Sequence, residues 1–170
     1  MDILRALMLV LAVAATLNAG NSSSASAETP SPATRFDFWI GNWELSSAGK
    51  AAGTNTITRE YDGAVIMERF VGTGDSQLKG MSVSVFNKNT GKWHQTWVDN
   101  QGSYLDFTGG FADGKMILSR KATIQGKEAL QRMVWFNITP DSFDWSWERS
   151  DDDGATWTVL WPLHYERKKQ

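Results

Sequence analysis

Four arginines stand in phase with apolar neighbours along segments that alternate residue by residue: Arg69 with Val65 and Met67, Arg120 with Met116 and Leu118, Arg132 with Val134 and Phe136, and Arg149 with Trp145 and Trp147. A guanidinium presents a planar fork of donors that grips a carboxylate through two parallel hydrogen bonds. A group of them beside tryptophans would orient an amphipathic guest with an anionic head, such as a fatty or aromatic acid. The same side chains would otherwise lay their stems on apolar surface with the heads in water, or pair with Glu68, Asp106 or Glu148. Acid–base chemistry could draw on Asp106, Glu148, Tyr104 or a histidine, but no spacing singles out a set. Serine is abundant, yet there is no Gly-x-Ser-x-Gly elbow, and neither His94 nor His164 has an evident serine partner.

Composition narrows the chemistry further. The 170 residues include 17 basic and 19 acidic side chains, two histidines and no cysteine. That balance leaves no basic field for nucleic acid. Without cysteine there is no thiolate nucleophile, no disulfide and no zinc site built on sulfur, so a metal site would lean on carboxylates.

At the start of the chain Arg5 precedes an apolar run, Ala6 to Leu17, of about 12 residues, followed by a Ser-rich stretch ending Ala25-Ser26-Ala27. A run that short before a small-x-small site reads as a secretory signal peptide rather than a membrane span. Cleavage is expected after Ala27, with Ala19 as the alternative, and a retained anchor is the competing reading because Asp2 offsets Arg5. Residues 1–27 are thus the expected signal peptide, 28–34 a linker with Pro30 and Pro32, and 35–170 one domain, exported to the periplasm or secreted.

The elements that must position the arginines are strands. Turn chemistry recurs at Asp62-Gly63, Asn89-Thr90-Gly91, Asn100-Gln101-Gly102, Asp113-Gly114, Gln125-Gly126, Thr139 to Ser142 and Asp151 to Gly154. Between these lie ten expected strands, at about 43–47, 53–61, 64–72, 79–87, 92–98, 103–110, 115–122, 129–138, 143–150 and 156–168. Alternation sets Met81, Val83 and Val85 on one face, and likewise Trp93, Gln95 and Trp97, then Val134, Phe136 and Ile138, then Trp157, Val159, Trp161 and Leu163. Short connections make an antiparallel up-and-down meander, and closing it into an all-β barrel removes both exposed edges. Phe36 to Ile40 would form a short plug at one end. In this layout Arg69, Arg120, Arg132 and Arg149 gather at the rim of a cup whose apolar wall includes Trp97, Trp145 and Trp147.

The opening Phe36-Asp37-Phe38-Trp39-Ile40-Gly41-Asn42-Trp43 resembles that of an uncharacterised family of secreted bacterial proteins with a lipocalin-like barrel. Within it, Gly41-Asn42-Trp43 is similar to the Gly-x-Trp that begins the first strand in lipocalins and the wider calycin group, which includes the haem-binding nitrobindins. The resemblance implies that a basic residue of the last strand, here Arg167, packs over Trp43 and helps close the barrel end. The expected topology agrees, since the first strand starts where the tenth ends, and such a cation–π pair is worth on the order of 0.5–2 kcal/mol. By the nitrobindin resemblance His164 would be a haem ligand, although Pro162-Leu163-His164-Tyr165-Glu166-Arg167 keeps only the order of histidine before arginine. His94 is out of phase with Trp93 and Trp97 and is expected to point outward.

Ser150-Asp151-Asp152-Asp153-Gly154-Ala155-Thr156-Trp157 resembles the Asp-box best known from sialidases, where it is a hairpin device remote from the active site. It implies structural roles for Ser150, Asp152, Gly154 and Trp157. Calcium binding by Asp151, Asp152 and Asp153 is the alternative, without the spaced ligands of a dedicated loop.

The expectation is an exported calycin-like barrel that carries a hydrophobic, anionic small molecule. The alternatives are an enzyme of isomerase, cyclase or hydrolase type acting on a hydrophobic molecule in the same cavity, a haem-binding nitrobindin-like barrel, and a structural barrel filled by its own tryptophans. No nucleic acid partner, no membrane span in the mature chain and no cofactor beyond that haem are expected. The residues leave the oligomeric state open.

Overall fold

Pairs of residues with positive φ fold the chain back on itself with almost no loop. Ala48-Gly49 (φ 47° and 75°), Asp113-Gly114 (51° and 75°) and Gln125-Gly126 (51° and 80°) are two-residue turns of the kind whose twist matches that of flanking strands. The computed structural model describes residues 30–74 and 76–169. The expected signal peptide and both cleavage sites lie outside the described residues.

The ten strands are β1 Gly41–Ser47, β2 Lys50–Glu60, β3 Val65–Gly72, β4 Lys79–Asn87, β5 Lys92–Asp99, β6 Tyr104–Ala112, β7 Lys115–Ile124, β8 Lys127–Phe136, β9 Ser142–Ser150 and β10 Thr158–Arg167. Each pairs antiparallel with its neighbours in sequence, and β1 pairs with β10 to close the barrel. The expected all-β up-and-down barrel is therefore the observed fold. The start of β2 lies three residues before the expected 53, and β8, expected at 129–138, is displaced by two residues at each end. Asn137 adopts φ 51°, and Thr139 caps the turn through bonds to Ser142, which ends the strand at Phe136.

On three strands, β3, β4 and β8, the interior face is the opposite of the one expected. In β3 it is Ile66, Glu68 and Phe70 that are buried, while Arg69 is exposed on the outer wall with Val65, Met67 and Val71 beside it. In β4 Ser82 and Ser84 are buried and Met81, Val83 and Val85 are exposed. The physical reason is mutual satisfaction: Glu68 is in register with Ser82 and Ile57, so polar groups on adjacent strands bond each other inside. Arg132 is likewise turned outward, because its neighbours Met133 and Gln131 share the face of Trp145, Trp147 and Leu118. A register shift between Val159 and Trp161 puts Trp161 inside with Leu163 and removes Trp157 from that face.

The lower end of the barrel is filled. Asp37–Trp39 form one 3-10 turn that enters it, tied to β2 by the Arg59–Asp37 ion pair. Phe36 stacks on Trp39 at 4.7 Å and meets Trp135 and Trp93 edge-on at 5.0 and 5.3 Å. Trp39, Trp43, Trp93 and Trp135 are at most 2% exposed, so this half of the interior is a packed aromatic core.

Candidate functional site

Above that plug the barrel is open. A cavity of about 180 Å³ lies between a floor of Trp135, Met133 and Leu163 and a mouth at Leu78 and Asp99. Its tryptophans, Trp97, Trp145, Trp147 and Trp161, are only partly buried, in contrast to the four indoles below. They hold one another edge-on: Trp145 meets Trp161 at 5.7 Å, and Trp161 and Trp97 meet Phe70 at 5.8 and 6.2 Å. Alternation on β5, β9 and β10 puts these rings on the interior face, and Gly80 on β4 leaves the space that the Trp97 indole occupies.

One wall of the cavity carries polar groups. Glu68, 7% exposed, accepts hydrogen bonds from Asn55 Nδ2 at 2.7 Å and from Ser82 Oγ at 2.6 Å. Burial outweighs those two bonds and pushes its carboxyl up to about 7. Asn55 also donates to the Tyr165 hydroxyl at 3.2 Å. Burial, and next the charge of Glu68, raise that phenol well above its usual value. At the mouth, burial would raise Asp99, but bonds from Trp97 Nε1 at 2.9 Å and from the Ser103 and Gln101 amides hold its carboxyl below the usual range. A buried acid that titrates near neutrality in an apolar chamber can accept a hydrogen bond, pair with a cation or exchange a proton.

The four arginines do not converge on this chamber. Arg69 is on the outer wall. Arg132 bonds Glu148 at 2.6 Å and lies 3.8 Å from the centre of the Trp157 ring. Arg149 pairs with Asp151 at 2.6 Å. Arg120 stays on the interior face, but it bonds Gln131 at 2.7 Å and its guanidinium sits 5.9 Å from the Phe107 ring, which lines the cavity. Trp97, Trp145 and Trp147 all line the cavity. Glu68, Asp99, Phe70, Trp161 and Tyr165 were missed. For Glu68 the signal was its apolar neighbours two residues away, Ile66 and Phe70, a phase as good as the one assigned to Arg69.

Neither histidine reaches the chamber. His164 lies on the outer face of β10, between the buried Leu163 and Tyr165, and its Nδ1 is 2.7 Å from Asp144 Oδ1. Burial would raise the Asp144 carboxyl, yet the bonds from His164 and Asn137 hold it low. The haem-ligand role drawn for His164 from the nitrobindin resemblance does not fit this placement, because the ring faces away from the cavity. Asp106, Glu148 and Tyr104 also sit on outward-facing positions.

Arg167 and Trp43 face each other in register across β1 and β10, the guanidinium 4.2 Å from the indole centre. Its nitrogens donate to the carbonyls of Pro140 at 2.8 Å and Ile40 at 3.0 Å. Gly41 has φ 141°, and a Cβ there would run into that guanidinium. At the other end Asp152 accepts from the Thr156 hydroxyl and amide and from Ser150, which lower its carboxyl to about 2. Ser150 Oγ also accepts from the Gly154 amide, and Trp157 Nε1 donates to the Gly154 carbonyl. The oxygens of Asp152 are thus committed to the turn, and among the described residues no group of three or more His, Asp or Glu is arranged to hold a metal. No helix among the described residues is long and apolar enough to cross a membrane. No family model matches the chain, and no curated protein matches it.

Proposed function

We propose that this is an exported, calycin-like binding protein that holds a hydrophobic small molecule in the upper chamber of its barrel. Export rests on the Arg5 to Ala27 segment, and the calycin likeness on the Gly41-Asn42-Trp43 opening and its Arg167 contact. The observation that carries the binding reading is the contrast between two sets of tryptophans. Those below are at most 2% exposed, with Trp135 alone reaching the cavity as its floor, whereas Trp97, Trp145, Trp147 and Trp161 are only partly buried around about 180 Å³ of space. Leaving large apolar surface unburied in a chamber forgoes stabilisation that a guest would supply. Native mass spectrometry of the protein from its exported compartment, together with uptake of the neutral dye Nile red, tests this. A co-purifying apolar molecule is expected, or saturable dye uptake that is lost in Leu105→Trp, since Leu105 lines the chamber and a larger ring there would fill it. An empty protein that takes up no dye would overturn it.

A catalyst acting on the same guest is a second reading, and Glu68 favours it. A carboxyl near 7 facing an apolar chamber can both give and take a proton at neutral pH. In that reading Glu68→Gln abolishes turnover of a bound molecule and leaves dye uptake intact. Turnover unchanged in Glu68→Gln would exclude Glu68 as the catalyst.

A further inference from the structure

We propose that the chamber selects a lipophilic amine, with the ammonium head at Glu68 and the apolar body against the tryptophans. This rests on the binding reading above and names the class of guest. Among the described residues the lining holds two acidic side chains, Glu68 towards the floor and Asp99 at the mouth, and no lysine, arginine or histidine. A carboxylate guest would enter with no counter-charge and would meet Glu68, so both would be disfavoured as anions in a dry site.

An ammonium finds the opposite. Each oxygen of Glu68 has one bond from the protein, from Asn55 or Ser82, and each keeps a further lone pair for a donor. Phe70, Trp97, Trp145 and Trp161 line the chamber between mouth and floor, and aromatic rings attract cations most strongly when water is excluded. Asp99, tied to the Trp97 indole edge, adds negative potential where the guest enters. Of the arginines that would oppose this, Arg132 is paired with Glu148 and Arg149 with Asp151, while Arg120, bonded to the neutral Gln131, keeps its charge beside the Phe107 ring but does not line the chamber.

Proton coupling follows from the groups packed on Glu68. Asn55 from β2 and Ser82 from β4 are neutral, Tyr165 from β10 stays protonated, and Asp99 is already ionised at the mouth. Glu68 is therefore the cavity group that changes charge near neutral pH, and amine affinity should fall as pH drops below about 7.

The test is calorimetry with three probes that share an indole body and a two-carbon arm, namely tryptamine, 3-ethylindole and indole-3-propionate, at about pH 8 and again below the titration of Glu68. At about pH 8 tryptamine should bind at least about tenfold tighter than indole-3-propionate, and Glu68→Gln should erase most of that ratio, each protein being read against its own affinity for 3-ethylindole. Asp99→Asn is the second variant, expected to weaken tryptamine more modestly. Should 3-ethylindole match tryptamine, or the acid exceed it, the amine assignment is overturned and apolar binding survives. Absence of binding by all three overturns the binding reading as well.

Discussion

A carboxyl that titrates near neutrality inside an apolar wall links proton uptake to the stability of the whole chain. Glu68 has its folded value raised to about 7 from an ordinary 4.5, so the unfolded chain gives up the proton first as pH rises. Stability is complete below about 4.5, where both states hold the proton, and is lost as pH climbs through 7. The total is on the order of 3 kcal/mol. Glu68→Gln cannot ionise, and the Ser82 hydroxyl can rotate to accept from the new amide. Urea unfolding at about pH 5 and about pH 8 should show the wild type losing stability by roughly that amount while Glu68→Gln stays level. Parallel profiles would mean that Glu68 is not the titrating group. This residue was legible as an acid beside an arginine, but not as the one that faces inward, because β3 is apolar on both faces and one charge sits on each.

At the scale of elements, strand β4 has the reverse of the usual arrangement, with serines inside and Met81, Val83 and Val85 outside. Gly80 belongs to the same interior face, and a Cβ there would collide with the Trp97 indole. Gly80→Ala should push Trp97 into the chamber, costing about 1–3 kcal/mol of stability and weakening Nile red uptake several-fold. Unchanged melting and uptake would show that the ring has room to yield. Turn dipeptides and alternation made the order, number and approximate limits of the strands readable, because both signals are local. The phase of β3, β4 and β8 was not, since it depends on which polar groups on adjacent strands satisfy one another. Asn55 and Ser82 lie 13 and 14 residues from Glu68, a relation that no window along one strand contains. For the same reason the tryptophans could be assigned to the interior while their division into a packed floor and an open chamber could not.

For the molecule as a whole, nine of the ten strand pairings join consecutive strands and one, β1 with β10, joins the two ends. Consecutive pairings close short loops and form at small entropic cost, whereas the last must hold together the full span of the chain. Arg167 is placed at that joint, bridging Trp43 to the carbonyls of Ile40 and Pro140. Arg167→Ala should cost about 2–3 kcal/mol, summed from the ring contact and the lost hydrogen bonds. Arg167→Lys should recover little, because an ammonium cannot lie flat on the indole and reach both carbonyls. Hydrogen exchange in Arg167→Ala should rise first in β1 and β10, and a uniform rise around the barrel would argue against a localised joint.

Strands that follow one another round a ring and return to the first have an order without a privileged beginning. The amide of Lys168 already bonds the carbonyl of Asn42, so the first strand starts beside the end of the last. A circular permutant cut between Asp113 and Gly114, with a flexible linker joining Lys169 to Pro30, would keep all ten pairings in their present register. It would also turn the Trp43 and Arg167 contact from one between opposite ends of the barrel sequence into a more local one, and move the cost of ring closure to the seam between β6 and β7.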